Sequence, residues 1–424
     1  MRLLFLSMHY RPEPCDTRTS ELAAALAAKG HQSTALTSFP NYPYGRVYDG
    51  YRQRPWRVET IDGVKVIRVP MFPDHSRSAK RRALSYLSFW ASASSLGPAL
   101  ARRPDLLWIH HPPLTTAVAG AWLARLMRVP FVLEIQDIWP ETLVSSGMVR
   151  EGRLTQAVSR VCRSLYRRAG AIVVTSTGMA DNLARKGVPE SKVHVLPQWA
   201  DEEIYRPLPR DEEFGERFGL KRAFNVMFAG NIGAAQNLET MVQAAALLRN
   251  EPDVRFVVLG DGLELARLRQ MVDGLGLENV SFLGQHPKES MPMFFAWADA
   301  LLLHLRDDPL FSIMVPNKVQ AYMACGRPLL CAMKGDAAAF IAQSEAGVVT
   351  SPEDPRAMAD GVLRLKSASI EERERMGAQG RRAFERLFAK EVLVDRYEAL
   401  FHSLLAGKGS VARSLAAAES QTVG

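Results

Sequence analysis

Short apolar runs rich in β-branched residues alternate along the chain with longer stretches of helical periodicity. Seven runs in the first half predict strands: RLLFLS (2–7), STALTS (33–38), VKVIRV (64–69), DLLWIH (105–110), FVLEIQ (131–136), AIVVTS (171–176) and VHVLP (193–197). Helical stretches such as TSELAAALAAKG, which ends on Gly30, lie between them. This alternation predicts a parallel sheet covered by helices on both faces.

The same alternation restarts after a polar, charged stretch at 199–223, which predicts a linker with one short helix. The second half contains six more predicted strands: NVMFAG (225–230), VRFVVLG (254–260), VSFLG (280–284), DALLLHL (299–305), RPLLCAM (327–333) and GVVTS (347–351). We therefore predict an α/β protein of two doubly wound, Rossmann-like domains facing across a cleft, at 1–198 and 224–388.

The C-terminal region has two expected parts. A last helix at 389–405 can return to the first domain. The tail at 406–424 is small and polar, a composition typical of disorder.

Charge is distributed unevenly between the halves. Residues 1–200 carry 27 Lys and Arg against 14 Asp and Glu, or +13, whereas the remainder carries 26 against 31, or −5. A basic half indicates an anionic partner, either nucleic acid or a membrane, unless the basic face is simply solvated. The four cysteines form no C-x-x-C pair, which argues against a zinc site or disulfide framework and favours a reducing cytoplasm.

Polar residues cluster where predicted strands end, which is where open α/β sheets bind ligands. No dinucleotide fingerprint, P-loop, G-x-S-x-G or H-E-x-x-H motif is present in the sequence. His110 could equally be a packed histidine, Asp137 a helix cap, and GNIGAAQN a tight turn. The candidates at strand ends are His110, His111, Gln136, Asp137, Glu141, Asn231, Gly233, Gln236 and Gly260.

Lys318 gives the sharpest physical signal. The stretch VPNKVQAYMACG predicts a helix with Pro316 in its first turn, and Lys318 lies beside the free N–H groups of that helix start. A cation there is disfavoured by the helix dipole unless an anion lies between the two. The sequence therefore predicts an anion site at Lys318.

From its start to about residue 405, the chain resembles a retaining glycosyltransferase of family 4 with the GT-B fold. The matching segments, in the family's order, include LLWIHHPP, FVLEIQDIWPETLVSSGM, FAGNIGAAQNLETMVQAAALL, VVLGDG and VPNKVQAYMACGRPLL. FPNYP, DIWPE, GNIGAAQ and PNKVQAYMACGRP resemble the bacterial branch that includes N-acetyl-L-fucosamine transferases of surface-polysaccharide synthesis.

The resemblance implies transfer of a sugar, with retention, from a nucleotide-diphosphate sugar on the second domain to an acceptor on the first. It implies no metal, because a helix N-terminus and basic side chains hold the diphosphate. It assigns His110 and Lys318 to catalysis. It assigns donor binding to Gly230, Asn231, Gly233, Gln236, Gly260, Val315, Asn317 and Lys318. It assigns the acceptor side to Arg18, Gln136, Asp137 and Glu141.

The chain departs from the family pattern at several positions. Ile313 and Ala321 stand where many members carry two glutamates, and Asn231 and Gln236 stand where an arginine and a lysine are usual. The Gly-Gly of the first loop is also missing. The resemblance to the closer branch implies that Lys318 and Gln236 take over part of the diphosphate contact.

The segment 77–103 carries six basic residues and no acidic one. A basic helix with aromatic residues suits an anionic membrane surface, although its aromatics could instead pack on the sheet. No nucleic-acid-binding motif accompanies the charge. The predicted membrane contacts are Lys80, Arg81, Arg82, Tyr86, Phe89 and Trp90.

We therefore expect a cytoplasmic glycosyltransferase, peripheral on the inner face of the cytoplasmic membrane. It would use a UDP-sugar, such as UDP-N-acetyl-L-fucosamine or a similar amino sugar. The expected acceptor is a lipid-linked or oligosaccharide chain of O-antigen, capsule or exopolysaccharide. The alternatives are a UDP-sugar epimerase of the same fold and a non-catalytic nucleotide-sugar-binding protein.

Overall fold

The computed structural model describes residues 1–14, 17–76, 78–145, 152–221 and 223–407. The chain divides into two compact units, one containing Met1–Leu196 with the chain from Val394 onward, the other Pro197–Leu393. The tail that we expect to be disordered lies outside the described residues from 408 on, as do Cys15 and Arg77.

The first unit is built on an eight-stranded sheet. Its strands are β1 (Arg2–Leu6), β2 (Gln32–Ser38), β3 (Arg57–Ile61), β4 (Val64–Val69), β5 (Leu106–His111), β6 (Phe131–Ile135), β7 (Ala171–Val174) and β8 (Val193–Val195). Their order is β3-β4-β2-β1-β5-β6-β7-β8, and all neighbours pair in parallel except β3 with β4. The sequence prediction missed β3, because RVETI alternates partly buried and exposed positions at the edge of the sheet.

Helices cover both faces of this sheet. They are α1 (Thr17–Ala28), α2 (Ala79–Leu100), α3 (Leu114–Met127), α4 (Glu141–Ser145), α5 (Arg153–Arg168) and α6 (Thr177–Arg185). The last helix among the described residues, Lys390–Leu405, also contributes to the first unit through its buried Tyr397 and Phe401.

The second unit is built on a six-stranded parallel sheet. Its strands are β9 (Phe224–Ala229), β10 (Val254–Leu259), β11 (Val280–Gly284), β12 (Ala300–His304), β13 (Leu329–Ala332) and β14 (Gly347–Thr350). They lie in the order β11-β10-β9-β12-β13-β14. The predicted α/β architecture with two Rossmann-like domains is thereby confirmed.

The helices of the second unit pack on two apolar clusters, one on each face of its sheet. They are α7 (Glu212–Arg217), α8 (Glu239–Leu247), α9 (Leu265–Leu275), α10 (Met291–Ala296), α11 (Pro309–Ser312), α12 (Asn317–Ala324), α13 (Asp336–Gln343), α14 (Pro355–Ser367) and α15 (Ile370–Leu387). The helix Lys390–Leu405 is α16.

The helix that carries Lys318 begins one residue later than the sequence suggests. Pro316 is the N-cap of α12, with an extended ψ of 141°, rather than a residue of its first turn. A residue in that conformation cannot belong to the helix, so the prediction for Pro316 was wrong by one position. Lys318 is the second residue of α12, still beside its N-terminal N–H groups.

Candidate functional site

The ammonium group of Lys318 has no hydrogen-bond or ion-pair partner among the described residues. Its stem is partly exposed, but its Nζ atom is buried without a hydrogen bond or ion pair. The Nζ atom lies 3.8 Å from the ring centroid of Phe228, a buried residue near the end of β9. A ring face offers a cation only weak compensation for lost water, so this site would gain from an anion.

Burial also changes the protonation of Lys318. Loss of water around the ammonium group lowers the pKa of Lys318 from 10.5 to about 7. The amine is therefore poised to accept a proton when a negatively charged ligand arrives.

The backbone next to Lys318 is closely packed at two glycines. Gly230 has φ 137°, and a Cβ atom there would lie 3.2 Å from the Lys318 Nζ. Gly260 has φ 130°, and a Cβ atom there would lie 2.0 Å from the carbonyl oxygen of Gly230. Both positions therefore require glycine, which keeps the ends of β9 and β10 close together beside the lysine.

Two of the predicted donor residues make contacts within their own loop. The amide oxygen of Gln236 accepts a hydrogen bond from the Gly233 N–H at 3.2 Å, so Gln236 shapes this turn. Asn231 is exposed, and its amide nitrogen lies 2.8 Å from where a Cβ of Gly233 would be. GNIGAAQN is thus a tight turn that also lies at the strand end.

A buried histidine and a glutamate, both missed by sequence reasoning, hold this loop in place. His304 Nε2 accepts from the Glu353 N–H at 3.2 Å, so its Nδ1 donates to the Gln236 carbonyl at 2.7 Å. The Glu353 carboxylate accepts from the Asn237 side chain at 2.8 Å. A histidine inside the otherwise apolar run ALLLH was the available signal.

The remaining predicted donor positions lie around the start of α12. Val315 is partly buried and Asn317 is exposed. Ile313 caps α11, and Ala321 lies on α12 among partly buried hydrophobics. The structure therefore has apolar side chains where the family's two glutamates would be.

In the first unit, His110 lies near the end of β5 with 15% of its side chain exposed. Its Nδ1 lies 3.0 Å from Oε2 of Glu134, a fully buried residue of β6. The Trp108 ring stacks beside it, with centroids 5.9 Å apart. His111, in contrast, is fully buried, and burial lowers its pKa to about 3, so it is a neutral packing residue.

Asp137 does not cap the following helix, because α4 begins only at Glu141. Burial raises the pKa of Asp137, an effect partly offset by the charge of His110. Gln136 donates its backbone N–H to the His111 carbonyl at 3.1 Å. Glu141 pairs with Lys186 at 2.7 Å.

Arg18 was expected on the acceptor side, but the structure corrects this. Its side chain is only 4% exposed and lies 2.5 Å from Glu134. It also donates to the Leu196 carbonyl at 3.0 Å and to the Tyr397 hydroxyl. A guanidinium enclosed by these partners acts within the unit rather than on a bound acceptor.

The predicted membrane contacts are also revised. Phe89 is fully buried, so its inclusion was wrong, because it faces the core side of α2. Arg81 pairs with Asp74 at 2.7 Å, and Tyr86 is half-buried. Lys80 and Trp90 are exposed, and Arg82 is partly exposed.

A wider basic and apolar surface surrounds them, formed by α2, α3 and α5. Helix α3 packs against both α2 and α5, and none of the three carries an acidic residue. Exposed apolar side chains on this three-helix face are Leu84, Leu87, Trp90, Trp122, Leu126, Leu154 and Val161. Exposed basic side chains are Lys80, Arg81, Arg125, Arg153, Arg160, Arg163, Arg167 and Arg168. In the described part of the chain, no helix is both long and apolar enough to cross a membrane.

Two family models match the chain. One, described as a glycosyl transferase 4-like domain, matches residues 15–199, and the other, described as glycosyl transferases group 1, matches residues 223–367. The first match lies almost entirely in the first unit, and the second lies in the second unit.

Relatives from several bacteria bear names of glycosyl transfer. WcaI of Escherichia coli K12, named as a colanic acid biosynthesis glycosyl transferase, is 28% identical over 338 residues, which is 77% of this chain and 82% of WcaI. The alpha-D-kanosaminyltransferase of Streptomyces kanamyceticus is 28% identical over 265 residues, covering 60% of this chain and 65% of its own. These names do not favour an epimerase or a non-catalytic protein.

Solved structures of the same architecture include HepE of Anabaena, which was crystallised with UDP and glucose. The TM-score is 0.71 at 18% identity, and the match covers 95% of this chain and 100% of HepE. Sucrose-phosphate synthase of Thermosynechococcus elongatus also gives 0.71 at 18% identity, covering 96% of this chain and 99% of the synthase. The likeness shows the GT-B fold.

Proposed function

We propose that the chain, which has the GT-B fold and matches two glycosyltransferase family models, moves a sugar from a UDP-sugar to a lipid-linked glycan, with retention of configuration. The product would be part of an O-antigen, capsule or exopolysaccharide. The single observation that carries the donor side of this proposal is the unpartnered, buried Nζ of Lys318 at the start of α12.

A diphosphate satisfies this arrangement chemically. Lys318 and the N-terminal N–H groups of α12 both attract negative charge, and the glycines at 230 and 260 let the ends of β9 and β10 lie close to the lysine. As the bond to the sugar breaks, charge grows on the departing diphosphate. Groups fixed in advance by the fold stabilise that charge without reorganising, which lowers the barrier.

On the first unit, His110 and Asp137 are the groups that we place beside the reacting sugar and the acceptor. Burial raises the pKa of Asp137, so its carboxyl group holds a proton more readily than that of an exposed aspartate. Gln136 and Glu141 belong to the same loop, but the ion pair of Glu141 with Lys186 gives it a structural role as well.

The donor that we propose is a UDP-linked amino sugar, with UDP-N-acetyl-L-fucosamine as the first candidate. Support comes from the resemblance of DIWPE and GNIGAAQ to that branch, and from UDP in the HepE crystals. The name of the kanosaminyltransferase also contains an amino sugar.

A thermal-shift screen across nucleotide sugars tests the donor, because a bound ligand raises the midpoint of unfolding by mass action. UDP and one UDP-amino sugar should stabilise the protein, whereas GDP- and CMP-sugars should not. The stabilising donor is then incubated with inner-membrane lipids from a bacterium with an O-antigen, and NMR of the glycolipid reports the anomeric configuration. No stabilisation by any uridine nucleotide would overturn the proposal.

Binding of UDP should be coupled to proton uptake. The pKa of free Lys318 is about 7, so at pH 8 most molecules hold a neutral amine, and a diphosphate raises that pKa again. We expect uptake approaching one proton per UDP at pH 8, and weaker UDP binding as pH rises above 7. Titration calorimetry in buffers of different ionisation enthalpy measures the number directly. Equal heats in all buffers would contradict this account of Lys318.

We also propose that no metal is needed, so transfer should survive EDTA. Carboxylates near the donor loop are occupied: Asp307 pairs with Lys334, and Glu353 binds Asn237. The described residues contain one cluster of three metal-ligating groups, His31, Glu398 and His402, and it lies in the first unit. Complete loss of turnover in EDTA, restored by Mg²⁺ or Mn²⁺, would show that a metal holds the diphosphate.

Finally, we propose that the enzyme docks on the cytoplasmic face of the inner membrane through the three-helix face of α2, α3 and α5. Its basic side chains would lie on anionic headgroups, with Trp90 and Trp122 at the boundary with the acyl chains. This location would bring the acceptor lipid to the first unit.

A further inference from the structure

Four side chains of the first unit form a buried chain that ends at His110. Arg18 Nε lies 2.5 Å from Glu134 Oε1, and the Tyr397 hydroxyl donates to the same oxygen at 3.2 Å. The other carboxylate oxygen, Oε2, lies 3.0 Å from His110 Nδ1. The sequence elements α1, β6, α16 and β5 each supply one member.

Glu134 is ionised in this environment. Burial by itself would raise its pKa, but Arg18 and then His110 outweigh that effect and lower the pKa of Glu134 overall. Since Glu134 and Tyr397 are fully buried and Arg18 nearly so, little water screens these interactions. An ionised carboxylate has no proton to give and only accepts hydrogen bonds.

The ionised carboxylate of Glu134 determines which ring nitrogen of neutral His110 carries the proton. Because Glu134 Oε2 can only accept, His110 Nδ1 must be the donor at 3.0 Å. The other ring nitrogen, Nε2, then carries the lone pair of the imidazole.

We propose that Glu134 is a positioning residue that keeps the proton of neutral His110 on Nδ1. Arg18 and Tyr397 hold the Glu134 carboxylate in its orientation. The inference rests on the proposed function, in which His110 lies beside the reacting sugar. It gives α16 a role in the site, because Tyr397 reaches His110 through Glu134.

Glu134→Gln tests the proposal with a change of almost no volume. At the Oε1 position, the Tyr397 hydroxyl donates and the Arg18 guanidinium is in ion-pair contact, so the amide oxygen of the variant is expected to take that place. The amide NH₂ must then point at His110 Nδ1, which becomes an acceptor. The proton is expected to move to Nε2, the wrong tautomer for the proposed role.

Nitrogen-15 NMR of histidine-labelled protein at pH 8 identifies the tautomer of each histidine. The His110 resonance is assigned as the one that is absent from the spectrum of the His110→Gln variant. We expect the Nδ1–H form in the native protein and the Nε2–H form in Glu134→Gln. We also expect kcat to fall at least about tenfold with little change in donor KM. An Nε2–H form in the native protein, or an unchanged tautomer and kcat in the variant, would overturn the proposal.

Tyr397→Phe provides a second variant if Glu134→Gln does not fold, because it retains the Arg18–Glu134 ion pair. Loss of one hydrogen bond to the carboxylate should lower kcat about threefold to tenfold. Tyr166→Phe is the matched control, since it also removes a buried tyrosine hydroxyl, one on α5 whose neighbour is Cys162 rather than Glu134. Equal kcat in the two variants would remove Tyr397 from the mechanism.

The tautomer measurement needs no turnover, so it separates this inference from the proposed function. If the protein has the Nδ1–H form but transfers no sugar from any sugar nucleotide, the proposed function is wrong and the tautomer assignment of His110 remains valid. If Glu134→Gln transfers sugar at the native rate, the positioning role of Glu134 is wrong and the proposed function remains valid.

Discussion

Replacing Lys318 by methionine should remove most UDP binding and transfer while making the ligand-free protein more stable. A charge-assisted contact to phosphate contributes about 1.5–3 kcal/mol, so UDP affinity should fall about tenfold to more than a hundredfold. Methionine has nearly the same length and fills the same space above the Phe228 ring. Titration calorimetry with UDP measures the loss.

The gain in stability follows from the burial of the amine. The folded protein holds the pKa of Lys318 near 7 instead of 10.5, so between these values the unfolded chain binds more protons than the native state. Native stability therefore rises with pH through this window, and the cost of the lysine is fully present below about pH 7. Each pKa unit corresponds to about 1.4 kcal/mol, which puts the cost at a few kcal/mol.

Lys318→Met should thus unfold at a temperature several degrees higher at pH 6–7, with the difference vanishing toward pH 10–11. Lys288→Met, at an exposed lysine of the same unit, is the control and should change neither stability nor UDP affinity. A variant with native UDP affinity would remove Lys318 from the donor site. If Lys318→Met is less stable than the native protein at pH 6, burial of the Lys318 ammonium group does not destabilise the native fold.

Reversing charge on the three-helix face should release the protein from anionic vesicles. The variant changes Lys80, Arg125 and Arg160 to glutamate, which places one exposed substitution on each of α2, α3 and α5. Each basic residue near an anionic surface contributes about 1 kcal/mol, so binding should weaken on the order of a hundredfold or more. Arg81 is left unchanged because its pairing with Asp74 also orders the start of α2.

Co-sedimentation with phosphatidylglycerol vesicles at low salt measures this loss, and raising the salt should weaken native binding through screening. The matched control reverses three exposed arginines of α15 in the second unit, Arg375, Arg382 and Arg386, and should pellet like the native protein. Equal pelleting of both variants would show that the three-helix face is not the membrane contact.

Trp90→Ala combined with Trp122→Ala separates the apolar contribution from the charge. Their rings are exposed on adjacent helices, so their loss should reduce the binding that remains at high salt. A native level of salt-resistant binding in this double variant would leave the exposed tryptophans without a role on the membrane.

The amino-acid sequence by itself determined the architecture of both units. Parallel strands buried on both faces are nearly continuous apolar runs, as ALLLH of β12 is. The structure also confirms VKVIRV and VSFLG as strands with the predicted bounds. The edge strand β3 was not predicted, because an edge strand tolerates polar residues at its exposed positions, and these weaken the apolar pattern. Lys318 could also be found from sequence, because a cation at a helix start conflicts with the local dipole.

Helix α2 shows where the sequence was insufficient. Phe89 and Trp90 are neighbours in the chain, yet one is fully buried and the other is 39% exposed. Apolar and small residues surround both of them, so the pattern does not reveal which side faces the sheet. Packing against α3 and β4 decided it, and it left Leu84 and Leu87 on the outer side.

The chemistry of the two sites also needed the tertiary structure. The sequence contains Arg18, Glu134 and Tyr397 far apart on three elements, and only their packing makes one buried cluster behind His110. The sequence likewise supplies Lys318 at a helix start, but its pKa near 7 depends on the burial that the fold creates around it. Local patterns determine elements, because they depend on neighbours in the chain. Desolvation and charge pairing depend on neighbours in space, and the fold alone brings those together.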